Sequence, residues 1–233
     1  MKKIIFTLLA LVGTMSMNAQ VMKIMKGTEV VATFTADQAD NVVFEEAPAI
    51  TGTAQRTGGI DVNWVQLWED GPKFAEYNVG AANNKAEDYG GYYCWGKTTD
   101  QDANGAYKQG TDALTGDDDT ATKLWGSNWR MPTQEDLQNL IASCTVEWTT
   151  VNGVSGSKFT GKGAYSSNSV FLPAAGYCSY GDVSGQGFDG LYWSSTPNGS
   201  SYAYYLYFNS DFQFVDYDFR PGYGFSVRAV LAE

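Results

Sequence analysis

From residue 59 onward the apolar residues of this chain come in short runs cut by glycine, and that spacing constrains the fold more than any other feature. Ile60-Asp61-Val62-Asn63-Trp64, Tyr92-Tyr93-Cys94-Trp95, Val170-Phe171-Leu172 and the runs at 202–208, 212–215 and 225–231 are each of strand length and rich in β-branched and aromatic residues. With 26 glycines and 15% aromatic content, the chain is expected to be loop-rich and anchored by large rings. One stretch departs from this: Pro132-Thr133-Gln134-Glu135-Asp136 precedes Leu137, Leu140, Ile141 and Cys144. Thr133 and Asp136 have capping-box spacing, and the apolar residues recur at helical intervals. The combination predicts an α+β domain with one or two helices.

Before residue 59 the chain has a different character. Lys2 and Lys3 precede an apolar run, and Met17-Asn18-Ala19 offers small residues for cleavage, so residues 1–19 are expected to be a secretory signal peptide. The apolar run is shorter than the roughly 20 residues that span a bilayer, so no membrane insertion is expected. Residues 20–46 carry Val21-Met22-Lys23-Ile24-Met25, a Gly27-Thr28 turn, Val30-Val31-Ala32-Thr33-Phe34 and then Val42-Val43-Phe44. These predict a short β appendage, a hairpin with an extra strand, too small to hold its own core. Residues 47–58 turn to Ala, Pro, Thr and Gly and are expected to be a linker, with one domain over 59–233. The chain is therefore expected to be exported, to the cell surface, the medium or the periplasm.

Charge and composition exclude several functions. The net charge of −11 becomes two units more negative once Lys2 and Lys3 are removed, which repels phosphate backbones and anionic lipid, so no nucleic-acid partner is expected. Histidine is absent, which removes the usual general base and a Ser-His-Asp triad. Cys94, Cys144 and Cys178 lack Cys-x-x-Cys spacing, so neither a zinc site nor a redox motif is encoded. In an oxidising compartment two of the three could pair, in any combination. Asp117-Asp118-Asp119 lacks the spacing of a calcium loop and is better explained as a solvated loop with Asp119 capping a short helix. Glu135 and Asp136 are explained by their place in a first helical turn, not as paired catalytic acids. No catalytic residue, metal or cofactor is expected.

The most informative stretch is 200–228, where Tyr, Ser, Asp and Phe alternate with apolar residues. Strand alternation sends Leu206, Phe208, Phe214 and Phe225 toward a core and Tyr205, Tyr207, Asn209, Asp211, Gln213 and Asp216 outward. Tyr202 and Tyr204 flank a strand end, and Tyr217, Asp218 and Tyr223 complete the set. Tyrosine offers a large rigid contact surface with a polar tip, the composition that antibodies use, so these eleven residues are the expected ligand-binding face. Of the seven tryptophans, Trp68 and Trp148 are the expected exposed ones, and the others are expected in cores.

Four blocks carry a family resemblance: Phe74-Ala75-Glu76-Tyr77-Asn78-Val79-Gly80-Ala81, Gly126-Ser127-Asn128-Trp129-Arg130-Met131-Pro132-Thr133, Phe171-Leu172-Pro173-Ala174-Ala175-Gly176-Tyr177 and Tyr223-Gly224-Phe225-Ser226-Val227-Arg228. In this order they resemble the major paralogous (FISUMP) domain of secreted bacterial proteins. That resemblance implies a C-type-lectin-like domain of small twisted antiparallel sheets, one or two helices and long loops. The Glu-Pro-Asn, Gln-Pro-Asp and Trp-Asn-Asp signatures of calcium-dependent lectins are absent. The blocks also resemble formylglycine-generating enzymes, whose reactive C-terminal cysteine pair has no counterpart after Cys178. The mix of residues over 202–223 is similar to that left by diversity-generating retroelements in some lectin-like proteins. The expected function is a secreted or surface-displayed adhesion module for a protein or glycan ligand. The alternatives are a fibre subunit anchored to a partner through residues 21–46, and, more remotely, an enzyme of the formylglycine-generating type.

Overall fold

The computed structural model describes residues 50–98, 107–216 and 221–232, together with the backbone of Val21–Lys26 and Glu29–Thr35. The chain divides into two compact units, residues 1–48 and 49–233. In the first, β1 (Val21–Lys26) and β2 (Glu29–Thr35) pair antiparallel from Val21↔Thr35 to Lys26↔Glu29, with a register shift between Ile24 and Met25. The hairpin is as expected. The signal peptide over 1–19 and the extra strand over 42–44 lie outside the described residues.

In the second unit, β3 (Thr51–Arg56), β4 (Ile60–Gln66) and β5 (Lys73–Ala75) form one sheet with β15 (Val230–Leu231) and β6 (Trp129–Arg130), in the order β3-β4-β5-β15-β6. The other sheets are β7-β8-β9 (Thr145–Val151, Val154–Thr160, Ser169–Pro173), the hairpin β10-β11 (Tyr177–Ser179, Asp182–Ser184) and β12-β13-β14 (Gly190–Asn198, Tyr202–Phe208, Gln213–Asp216). Neighbouring strands run antiparallel in every one of these sheets.

Two expectations are corrected here. The α+β class, a C-type-lectin-like domain with helices flanking small sheets, gives way to a β-rich one. Among the described residues of this unit, thirteen strands stand against α1 (Thr120–Trp125) of six residues and α2 (Gln134–Ser143) of ten. The glycine-cut runs join mostly through turns too short to hold helices, so sheets supply nearly all the core. The linker expected over 47–58 instead contains a strand, because Thr51–Arg56 pairs residue for residue with Ile60–Val65. An edge strand needs only one packed face, and the small Gly52 and Ala54 suffice: the Trp64 ring lies so close over Gly52 that no side chain would fit there.

Both helices start where their caps place them. The Thr133 hydroxyl accepts from Asp136 N at 3.0 Å, and the Asp136 carboxylate accepts from Thr133 N at 2.8 Å, the reciprocal capping box read from the sequence. Leu137, Leu140 and Cys144 then enter the core. Asp119 caps α1 by accepting from Thr122 N at 2.9 Å and from Met131 N.

There are two cores. One gathers Trp95, Trp125, Trp129, Trp193, Tyr205 and Phe225, and the other Phe74, Leu137, Phe159, Tyr192, Leu206 and Phe208. Successive residues of the central strands feed different cores: Leu191 and Trp193 enter the first while Tyr192 enters the second, and Tyr205 the first while Leu206 enters the second. Between the cores runs a buried polar chain. Arg228, 1% exposed, donates Nε to Asn78 Oδ1 at 2.8 Å and its Nη groups to the carbonyls of Ala75, Glu76 and Phe171. Asn78 donates onward to Tyr192, whose hydroxyl donates to Pro173 O at 2.7 Å. Burial lowers the Arg228 pKa to about 10, which leaves it charged at neutral pH.

Candidate functional site

At one end of the β12-β13-β14 sheet a cluster of rings emerges from the cores. Register places Tyr207 opposite Phe214 on neighbouring strands, and their rings stack at 5.1 Å and 26°. Phe212, from the turn between β13 and β14, completes the group, 5.9 Å from Tyr207 and 5.8 Å from Phe214, with all three rings nearly parallel. Phe212 is 50% exposed and Phe214 37%. The turn that presents Phe212 is built by Asn209, whose side-chain oxygen accepts from the N–H groups of Asp211 and Phe212, while Asn209 N donates to Phe212 O.

A single carboxylate fixes this cluster to the neighbouring loop. Tyr207 donates its hydroxyl to Asp189 Oδ1 at 2.6 Å, and Asn209 Nδ2 donates to the same hydroxyl at 3.1 Å. Partial burial and the bond to Asp189 push the Tyr207 pKa up, so the phenol stays protonated and the donor is fixed. The Asp189 carbonyl in turn accepts from Gly176 N, at the start of β10. Phe188, adjacent to Asp189, is 75% exposed, and Tyr180 and Val183 of the β10-β11 hairpin are also exposed. A strand pair and its turn thus hold three rings, Tyr207, Phe212 and Phe214, with Tyr207 bonded to Asp189 of the neighbouring loop and Asn209 and Asp211 supplying polar groups.

The eleven predicted residues are sorted differently by the structure. Tyr207, Asn209, Asp211 and Gln213 lie at the turn end of the β13-β14 pair; Asp211 is exposed and the other three are half-buried, with Gln213 opposite Phe208 and not Tyr207. Tyr205 does not face solvent: it is 1% exposed and packs edge-on against Trp193 and Phe225. Phe214, expected in a core, is exposed instead. Both corrections have one cause: the sheet is covered on both faces, so alternation separates two cores and not core from solvent. Only where the first core ends, past Tyr205, does its side of the sheet open, at Tyr207 and Phe214. Tyr202 lies at the opposite end of β13, about 17 Å along the strand from Tyr207, so it does not join the ring cluster, and Tyr204 lies in mid-strand. Tyr202 is exposed and Tyr204 half-buried. Asp216 pairs with Tyr205 and is half-buried. Tyr223 packs edge-on against Tyr177. Tyr217 and Asp218 lie outside the described residues.

Asp189 and Phe212 are members of the cluster that sequence reasoning misses. A signal for Phe212 exists in Asn209-Ser210-Asp211, a turn sequence that places the next residue at a tip. Asp189 follows a glycine-rich loop and carries no such signal.

Other candidate groups are accounted for by structure. Asp118 pairs with Lys108 and Asp117 with Lys123, and Asp119 caps α1, so each carboxylate of the triplet has a role in the fold. Trp68 and Trp148 are half-buried and not the free platforms expected: they pack on Phe74 and Phe208 respectively. All three cysteines are buried. Burial pushes the Cys144 pKa up to about 11, the reverse of what an activated thiolate requires. An open cleft of about 670 Å³ lies elsewhere, where Asn63, Glu76 and Lys158 meet Phe171.

Residues 141–230 match the model of a family described as a domain of unknown function (DUF8237). The match takes in β7 to β14 and the whole ring cluster, and less than half of the chain. No curated protein and no solved structure matches the chain.

Proposed function

We propose that this protein is an exported binding module, secreted or held at the cell surface, that recognises a protein or glycan ligand through the ring cluster at the open end of the β12-β13-β14 sheet. The observation that carries this reading is the stack of Tyr207, Phe212 and Phe214, which leaves two phenylalanines in water on a turn whose backbone is fixed by Asn209. Exposed rings gathered in one place mark an interaction surface more often than a packing accident. Rings held rigid by stacking lose little entropy on binding, and the rim of Asp189, Asn209 and Asp211 gives hydrogen-bond acceptors and donors for orientation. Tyr202, about 17 Å along β13 from Tyr207, contributes only to a ligand that extends well beyond the cluster.

The test is binding of the protein to arrays of immobilised glycans and of purified secreted proteins, compared with the double variant Phe212→Ser with Phe214→Ser. Neither ring belongs to a core, so the variant keeps its melting temperature to within about 3 °C. Affinity for whatever the wild-type protein binds is expected to fall at least about tenfold. Binding that survives the double substitution intact would remove this face as the ligand site.

A further inference from the structure

Arg56 stands at the end of β3, and its neighbours on both sides are tied down. The Gln55 carbonyl accepts from the Trp129 indole at 3.1 Å and from Asn128, and Thr57 N donates to Trp125 O at 2.8 Å. The guanidinium is thereby held 5.7 Å above the Trp125 ring, which itself packs edge-on against both Tyr77 and Trp129 at 5.4 Å. This floor is rigid and almost fully buried: Trp125 is 4% exposed and Trp129 0%. Arg56 opens into a recess of about 310 Å³, walled by Tyr77, Ala81, Asn84 and Leu124.

The guanidinium is under-used there. Nε donates to Tyr77 Oη at 3.4 Å and Nη2 to Asn84 Oδ1 at 3.3 Å, both at the long limit of a hydrogen bond. A guanidinium carries five N–H donors in a planar fork. Among the described residues the three ion pairs are Lys108–Asp118, Lys123–Asp117 and Arg130–Asp136, and none involves Arg56. The Arg56 guanidinium thus lies over an indole with no carboxylate partner among the described residues.

From this geometry we infer that the Arg56 recess is a binding site for the carboxylate of an acidic sugar, a uronic acid residue within a glycan. One cation matches one carboxylate, and the planar fork takes it in two parallel hydrogen bonds. A phosphate would call for more than one cation or a set of converging N–H groups, which the recess lacks. The Tyr77 hydroxyl and the Asn84 amide sit beside the fork where ring hydroxyls would fall, and Ala81 and Leu124 offer apolar wall to a ring face. The volume is at the lower end of the range that holds small ligands, the size for a single sugar residue.

Titration of the protein with methyl β-glucuronide and methyl β-glucoside, which differ at the carboxylate, tests the site by calorimetry and by shifts of the Trp125 indole resonance. The glucuronide is expected to bind with a dissociation constant of about 1 mM and at least about tenfold more tightly than the glucoside. Arg56→Gln is expected to abolish that preference, and Arg56→Lys to restore part of it. Equal affinity for the two glycosides, a preference that persists in Arg56→Gln, or no binding of either up to about 20 mM would each overturn the inference. N-acetylglycine, titrated in parallel, stands for a peptide carboxylate; tighter binding of it than of the glucuronide would overturn the glycan assignment in favour of a peptide. Should Arg56→Gln fail to fold, Ala81→Phe fills the recess from its wall and is expected to remove glucuronide binding with Arg56 in place. Glucuronide binding that persists in Ala81→Phe would equally overturn the site.

Discussion

Arg228 shows what a single side chain can hold together in this fold. Its fork reaches Asn78, Ala75 and Glu76 beside β5 and Phe171 on β9, so it joins two sheets from between two cores. The bonds are to an amide and carbonyls, and no carboxylate is among those acceptors. Replacement by methionine would leave four acceptors, three of them buried, without this donor, and a lysine in its place could not span them from one ammonium. Arg228→Met is expected to cost at least about 3 kcal/mol of stability and Arg228→Lys somewhat less, as measured by urea unfolding. An unchanged midpoint in both would mean that water replaces the fork without loss. In the sequence Arg228 is visible only as the end of the Gly-Phe-Ser-Val-Arg block. Its burial is not, because an arginine followed by Ala-Val-Leu at a strand end looks the same whether its side chain turns in or out. Asp119 and Thr133 are legible for the opposite reason: a cap is a local event, and its partners lie three residues away.

At the level of elements, legibility depends on whether an element's environment can be read from its own residues. That of helix α2 can, because its apolar stripe and cap are both internal to it. That of strand β3 cannot, since Thr, Gly and Ala with no apolar alternation describe a linker and a thinly packed edge strand equally well. Strands β13 and β14 are evident, but the side they show to water is assigned by alternation, and alternation is silent about how many sides are covered. The tightness of that double covering is testable at Gly190 on β12. A methyl group there would enter the Phe208 ring, which is stacked on Tyr192 at 5.8 Å. Gly190→Ala is therefore expected to destabilise by about 2 kcal/mol through overpacking, read as a lowered melting temperature. A neutral effect would show that Phe208 has room to move. The same covering narrows the idea that residues 202–223 are diversified: Ala203, Tyr205, Leu206 and Phe208 each serve a core, Tyr207 and Val215 pack against one and Asn209 builds the turn, which leaves the exposed Tyr202, Ser210, Asp211, Phe212 and Phe214 as the described positions where change is cheapest.

For the molecule as a whole, the family match over 141–230 does not coincide with a unit that can fold alone. Val230 pairs with both Phe74 and Arg130, Trp95 donates its indole to Ser194 O at 2.8 Å, and Arg228 takes three of its acceptors from residues 75 to 78. Both cores draw on residues before 141, among them Trp95 and Trp129 in the first and Phe74 and Leu137 in the second. A fragment of residues 141–230 is expected to lack a cooperative thermal transition and near-ultraviolet circular dichroism, whereas residues 49–233 should show both. A cooperatively folded fragment would contradict the two shared cores.

The indoles of Trp125 and Trp129, 5.4 Å apart and crossed at 85°, stand close enough for their electronic transitions to mix. Two coupled chromophores held at a fixed angle split into a pair of opposite optical bands, a signal that neither gives alone and that vanishes once the distance opens. The protein thus carries an intrinsic spectroscopic ruler. Trp125, the nearer of the two, lies beneath Arg56, so the pair reports whether the floor of that recess is intact without any added label.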